Sequence, residues 1–241
     1  LWYMGPMFRY ERPQAGRMRQ FHQLGVEFVG YEYFRSDVEI ISLAWDLLIK
    51  LGISDLNLEI NTLGTKNDRL KFQKVFVNWL KKNYESLDPD SQKRIDKNPM
   101  RILDTKNKNT IEILKNSPRL YDFLSDESLE RYSLIKKQLK SLEIPFEENF
   151  NLVRGLDYYT HTAFEFTSGA LGSQSTVCGG GRYDNLINQM GGPQTPAIGF
   201  AIGLERLMLL AGDALDNSRM MDIYIVNKGI IAESIAIELS R

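Results

Sequence analysis

Two segments, QLGVEFVG at 23–30 and LNLEINTLG at 56–64, alternate apolar with polar or small side chains almost residue by residue, and no other feature limits the fold as tightly. Side chains two apart in a strand share a face, so each segment has one face for a core and one for solvent or a ligand. That pattern belongs to an antiparallel sheet covered on one side; parallel sheets are buried on both. In the first segment Leu24, Val26 and Phe28 take one face and Gln23, Gly25 and Glu27 the other. Gly25 clears space between an amide and a carboxylate, so this second face reads as the floor of a pocket.

The surrounding chain agrees. LWYMGPMFRYE is an aromatic-rich strand, and RPQAGRMR, with Pro13 and Gly16, is the turn joining it to the strand that follows. Ser36 and Glu39 have the form of a capping box, and Ile40, Ala44, Leu47, Leu48 and Leu51 follow at helical spacing until Gly52. Between 66 and 146 the pattern turns helical, with Phe72, Phe76, Trp79 and Leu80, then Leu129, Tyr132, Ile135 and Leu139. This predicts a helical insertion between a first core part, 1–65, and a second, 147–217. The second part holds strand-like RGLDYY and TAFEFTS, the glycine run CGGGRYDNL, and a helix carrying Leu207, Leu210, Ala211 and Ala214. Residues 218–241 read as a strand and a helix opening a further α/β domain that is cut short. The predicted class is α+β: an antiparallel β-sheet with flanking helices and a helical insertion.

Composition narrows the function classes. Thirty basic against thirty-one acidic residues leave a net charge of −1, so a polyanion would have to be met by a local patch. One cysteine excludes a disulfide framework and a cysteine-based zinc cluster, and two histidines argue against a histidine-rich metal site; a reducing, cytoplasmic setting is expected. No run approaches a membrane span and no leader is recognised, so no membrane partner is expected. The chain opens on Leu1 inside an apolar run, which suggests a fragment.

Among the polar clusters, Arg9, Arg12, Arg17 and Arg19 fall within eleven residues around the PQAG tip. Guanidinium forks there suit a polyphosphate, and a solvated hairpin tip would look the same. The three glycines of CGGGRYDNL admit either a close ligand or a tight turn, and match neither a P-loop nor a dinucleotide fingerprint. Arg206, after Gly199 and Gly203 at a helix start, reads as a pocket cation or an exposed ion-pair partner. Cys178 reads as a buried small hydrophobe, and His22 and His161 as packed or surface residues. Arg154, Asp157, Tyr158 and Tyr159 crowd one strand-like stretch, LVRGLDYYTHTAFEF, where a core would be expected.

Taken together, GPMFRYERPQAGRMRQFHQLGVEFVG resembles motif 2 of the class II aminoacyl-tRNA synthetases in its histidyl form. LVRGLDYYTHTAFEF and CGGGRYDNLINQMGG resemble the two histidine-specific motifs, and PAIGFAIGLERLML resembles motif 3. The resemblance spans essentially the whole chain and implies a class II catalytic core. It implies that Arg154 and Arg9 are catalytic cations set against the α-phosphate and the histidine carboxylate. Gln23, Glu27, Tyr158 and Tyr159, with Arg9 and Arg154, would bind histidine. Arg9, Arg17, Gly203 and Arg206 would bind ATP, with Mg2+ on the phosphates and its ligands unassigned. Histidine tRNA would be the second substrate, with Lys136, Lys137 and Lys140 as candidate acceptor-stem contacts. A homodimer is implied, with motif 1 preceding Leu1 and an anticodon-binding domain beginning near Met221. The rival is the synthetase-like regulatory subunit of ATP phosphoribosyltransferase, whose members typically lose the catalytic arginine; a synthetase-like domain of a stress-sensing kinase would show degenerate motifs. Here Arg154 and Arg9 are present.

Overall fold

The computed structural model describes residues 1–10, 18–153, 158–212, 226 and 228–239. Seven strands form one sheet: β1 (Trp2–Phe8), β2 (Gln20–Val29), β3 (Asn57–Thr62), β4 (Glu147–Glu148), β5 (Thr160–Thr167), β6 (Thr176–Arg182) and β7 (Ala197–Gly203). Their spatial order is β1-β2-β7-β6-β5-β3-β4, with every pairing antiparallel except β3 with β4. The helices are α1 (Arg35–Lys50), α2 (Lys66–Lys82), α3 (Pro89–Arg94), α4 (Lys108–Leu114), α5 (Asp126–Ser141), α6 (Leu186–Gln189), α7 (Leu204–Ala211) and α8 (Ile230–Leu239). The α+β class and the mainly antiparallel sheet are as the alternation predicts.

Register explains the two faces. Residues paired across strands lie on the same side, and β2 sets Gln23, Gly25 and Glu27 opposite Gly203, Ala201 and Gly199 of β7. β6 continues the row with Gly179 opposite Ala201 and Gly181 opposite Gly199. One face of the central strands is therefore nearly bare of side chains. The other carries Leu24, Val26 and Phe28, Ile198, Phe200 and Ile202, Cys178, Phe164 and Phe166, and packs against Ile40, Ile41, Ala44 and Leu48 of α1. Cys178 is a buried member of this core, as its sequence context predicts.

The segment 66–146 contributes to two cores. Phe72, Phe76 and Leu80 of α2 pack with Leu87, Ile95, Ile102, Leu114 and Leu120, and Leu63, Val153 and Ala163 close this second core from the side of the sheet. By contrast, Tyr132, Ile135 and Leu139 of α5 join the first core beside α1.

One local expectation fails and another site fulfils it. Ser36 does not cap α1, because the helix already includes Arg35 and the Phe34 position before it makes no side-chain cap. Ser36 is buried and its hydroxyl donates to the Tyr33 carbonyl at 2.8 Å. The capping box is at α2, where the Thr65 hydroxyl accepts from Asp68 N–H and the Asp68 carboxylate accepts from Thr65 N–H. Hydrogen bonds from the Thr65 amide and hydroxyl and from Ser125 and Ser128 outweigh burial and hold Asp68 below the usual carboxylate range. Thr65→Ala should cost about 1 kcal/mol of stability, read as a lower denaturant midpoint at unchanged slope.

Candidate active site

The bare face of the sheet opens into a cavity of about 840 Å3 whose lining includes Arg9, Gln23, Glu27, Tyr158, Tyr159, Gly203 and Arg206. These are all the sequence-predicted site residues that the structure describes; Arg17 and Arg154 lie outside the described residues. Arg9 on the first hairpin and Arg206 in α7, 197 positions apart in sequence, line one site that only the sheet can assemble.

Three tyrosines wall one end. The Tyr158 and Tyr159 rings lie 4.6 Å apart, and Tyr183 stands edge-on to both, at 5.9 Å from Tyr158 and 6.4 Å from Tyr159. Tyr158 and Tyr159 are not in a strand, as LVRGLDYY suggests, but in a turn immediately before β5. The reason is visible next door: His161 adopts a left-handed φ of 48°, and the β5–β6 register slips between Thr160 and Ala163. That bulge re-aims the chain so that both rings lean over the sheet. His161 itself is half-buried; burial, then the charge of Arg131, hold its imidazole below its ordinary pKa.

Glu27 projects into the same end, and the Tyr183 hydroxyl donates to its Oε2. Burial raises the Glu27 pKa above the ordinary carboxylate value, and the bond from Tyr183 opposes that shift. Burial and the nearby Glu27 carboxylate push the Tyr183 phenol upward in turn, so it remains a donor. A carboxylate ringed by phenols in a half-dry pocket can accept an N–H and offer O–H groups in return, which suits a small aromatic heterocycle with both kinds of nitrogen.

Small residues make this possible. A side chain at Gly199 would overlap the Glu27 carboxylate, and one at Gly181 would lie 2.7 Å from the Tyr159 ring and 2.6 Å from the Thr162 carbonyl. The space beside Gly25 is taken by the Tyr3 phenol. The glycine run is the interior of β6 and not a turn; what it accommodates is the Phe164 and Tyr159 rings and the carbonyls of Gly199 and Thr162.

The opposite end is cationic. Arg9 donates from Nε to the Met18 carbonyl at 2.8 Å and stacks over Phe21, 4.3 Å from the ring centre. Arg206 donates from Nη1 to the Thr176 carbonyl at 2.8 Å. Between them, nothing lies within 4 Å of where a side chain would begin at Gly203. Glu205 also lines the cavity; burial would raise its pKa, but bonds from its own backbone and from the His22 amide, at 2.7 Å, and imidazole, at 3.1 Å, hold it low and ionised.

Tyr183, Tyr3 and Glu205 are site residues that the sequence reading does not assign. For β7 the missed signal is legible: in AIGFAIG small residues alternate with Ile198, Phe200 and Ile202. Lys136, a candidate RNA contact, is paired with Glu148 at 3.0 Å, whereas Lys137 and Lys140 are exposed.

An antiparallel sheet with helices behind it and a ligand-sized, small-residue floor in front is the catalytic architecture of the class II aminoacyl-tRNA synthetases. The profile of the histidyl-tRNA synthetase family matches residues 1–207, and the chain belongs to that family. It is 73% identical, over all 241 residues, to the histidine–tRNA ligase of Prochlorococcus marinus subsp. pastoris, of which it spans 56%. The fold is similar to that of apo Staphylococcus aureus histidyl-tRNA synthetase, with a TM-score of 0.76 and 37% identity over 99% of this chain and 58% of that one. A Bacillus halodurans protein described as an ATP phosphoribosyltransferase regulatory subunit/histidyl-tRNA synthetase shares the fold at 22% identity and a TM-score of 0.59 over 88% of this chain and 58% of that one. The chain therefore spans a little over half the length of the curated relatives it matches.

Proposed function

We propose that the protein containing this chain activates histidine with ATP and transfers it to the 3′ end of histidine tRNA. The observation that carries this reading is the convergence of the Glu27 carboxylate and three phenols with an arginine-bearing end in one cavity. Histidine would lie with its ring between Glu27 and the tyrosines, Gln23 helping to hold the amino acid. Its carboxylate would face Arg9 and Arg154, which offset the charge that develops as a carboxylate oxygen attacks the α-phosphorus and pyrophosphate departs. Arg17 and Arg206 would hold the outer phosphates, and Gly203 would leave room for the adenine. The terminal ribose hydroxyl of the tRNA would then attack the acyl carbon of the mixed anhydride, releasing AMP.

Mg2+ fits only as an ion carried on the phosphates. Among the described residues no cluster of three or more His, Cys, Asp or Glu could cage a metal. Magnesium commonly binds through one or two carboxylates plus substrate phosphates, and Glu205 is the ionised carboxylate at the phosphate end. Bound there, the ion would neutralise phosphate charge. A cytoplasmic homodimer completes the proposal, consistent with the family; among the described residues no helix is long and apolar enough to cross a membrane.

The test is exchange of labelled pyrophosphate into ATP by the full-length protein with each of the twenty amino acids, with Arg154→Ala as control. Exchange driven by histidine alone and lost in the variant supports the reading. Histidine binding with no exchange would instead favour a regulatory paralogue.

A pH prediction follows from Glu27. Histidine recognition needs the carboxylate, so affinity falls as pH drops through a Glu27 pKa raised above the ordinary value by burial. Tyr183 lowers that pKa by donating to the ionised form. Tyr183→Phe should therefore move the acid limb of kcat/KM for histidine to higher pH. Titration of free histidine is common to both proteins and cancels in the comparison.

A further inference from the structure

Among the described residues Arg182 heads the largest fully buried side chains, yet the chemistry above does not use it. Its guanidinium is saturated. Nε donates to both Asp37 oxygens at 3.2 Å, and Nη2 donates to Asp37 and to the Ser36 hydroxyl, each at 2.6 Å. Nη1 donates to Asp184 at 2.9 Å and to the Tyr31 carbonyl at 3.2 Å. Asp37 also accepts from Arg131 of α5 at 2.7 Å, so two guanidiniums and two carboxylates balance. Clusters of this kind add little net stability over apolar packing, but they define a single geometry.

That geometry backs the aromatic wall on both strands. Tyr183 is the residue between Arg182 and Asp184; its ring lines the cavity, whereas the Arg182 and Asp184 side chains do not and bond to each other. Asp184 accepts from the Ala197 amide and from the Thr160 hydroxyl, each at 3.2 Å, and Thr160 directly follows Tyr159. We propose that Arg182 is a positioning residue for side-chain discrimination: by clamping Asp184 to Asp37 it holds the Tyr183 phenol on Glu27. It acts through Tyr183 and touches no substrate.

This inference rests on the histidine-activation reading, and the experiment separates the two. Histidine-dependent pyrophosphate exchange is measured on full-length wild type, Arg182→Lys, Tyr183→Phe and the double variant. Lysine keeps the charge and loses the fork. Arg182→Lys should raise KM for histidine roughly tenfold with KM for ATP unchanged, and should add nothing to Tyr183→Phe. A lower active fraction or Tm at unchanged KM for histidine, or effects that multiply in the double variant, overturns the proposal. If Arg182→Lys does not fold, Asp184→Asn replaces it with the same expected KM split and non-additivity. A wild type that binds histidine without exchange defeats the functional reading alone, and calorimetric histidine affinities of the same four proteins then decide the inference. A wild type that binds no histidine overturns both.

Discussion

Glu27→Gln should lower kcat/KM for histidine by about ten- to a hundredfold while leaving KM for ATP nearly unchanged. The substitution preserves size but exchanges a double acceptor for a group that is half donor. Tyr183 already donates to this carboxylate, and an imidazole N–H would be a second donor aimed at it. Glutamine can satisfy one of the two and must set an N–H against a donor or leave a buried group unpaired, and each such loss in a desolvated site is worth about 1–3 kcal/mol. The effect should be confined to the histidine constant, because Glu27 stands at the tyrosine end of the cavity, away from Arg9 and Arg206. Pyrophosphate exchange at varied histidine and varied ATP separates the two constants. A loss of less than about threefold would place the imidazole elsewhere in the cavity.

Gly180→Ala should be among the most destabilising single-methyl changes in the chain. Gly180 is in β6, the middle strand of the central β7-β6-β5 set, and faces the core instead of the cavity. A methyl there would overlap both the Gly199 carbonyl oxygen and the Phe164 ring. The carbonyl belongs to the adjacent strand and cannot move without opening the ladder, while Phe164 is fully buried and has no alternative space. A cost of about 3 kcal/mol is expected, lowering Tm by roughly 6–12 °C. Gly203→Ala is the matched comparison: it meets open space, so thermal unfolding should be unchanged while KM for ATP rises. Equal Tm values for Gly180→Ala and wild type would contradict the packing argument.

Both expectations join residues whose proximity is not written in any local stretch. Tyr183 and Glu27 are 156 positions apart, and Gly180 meets a carbonyl from β7 and a ring from β5. The pocket-facing pair Gln23 and Glu27 was nevertheless legible, because a strand's period of two is a property of consecutive residues. The same holds for Leu24, Val26 and Phe28 against the core, and for the stop of α1 (Arg35–Lys50) just before Gly52, whose φ of +81° suits glycine. Motif resemblance added Arg9, Tyr158, Tyr159, Gly203 and Arg206, and the structure gathers them around one cavity.

Elsewhere local signals were ambiguous until packing chose between outcomes. Ser36 with Glu39 and Thr65 with Asp68 have similar capping form; only the second is used, since Ser36 is claimed by buried Arg182. A glycine run reads equally as a turn or a strand, and β6 became a strand because the Phe164 and Tyr159 rings and the Gly199 and Thr162 carbonyls need its vacant positions. Sequence alone thus determined which residues could face a ligand and which a core, since facing depends on the few dihedrals between neighbours. The order of strands, the company of Glu27 and the burial of Arg182 were decided by tertiary structure, because they depend on contacts whose free energy appears only when distant segments meet.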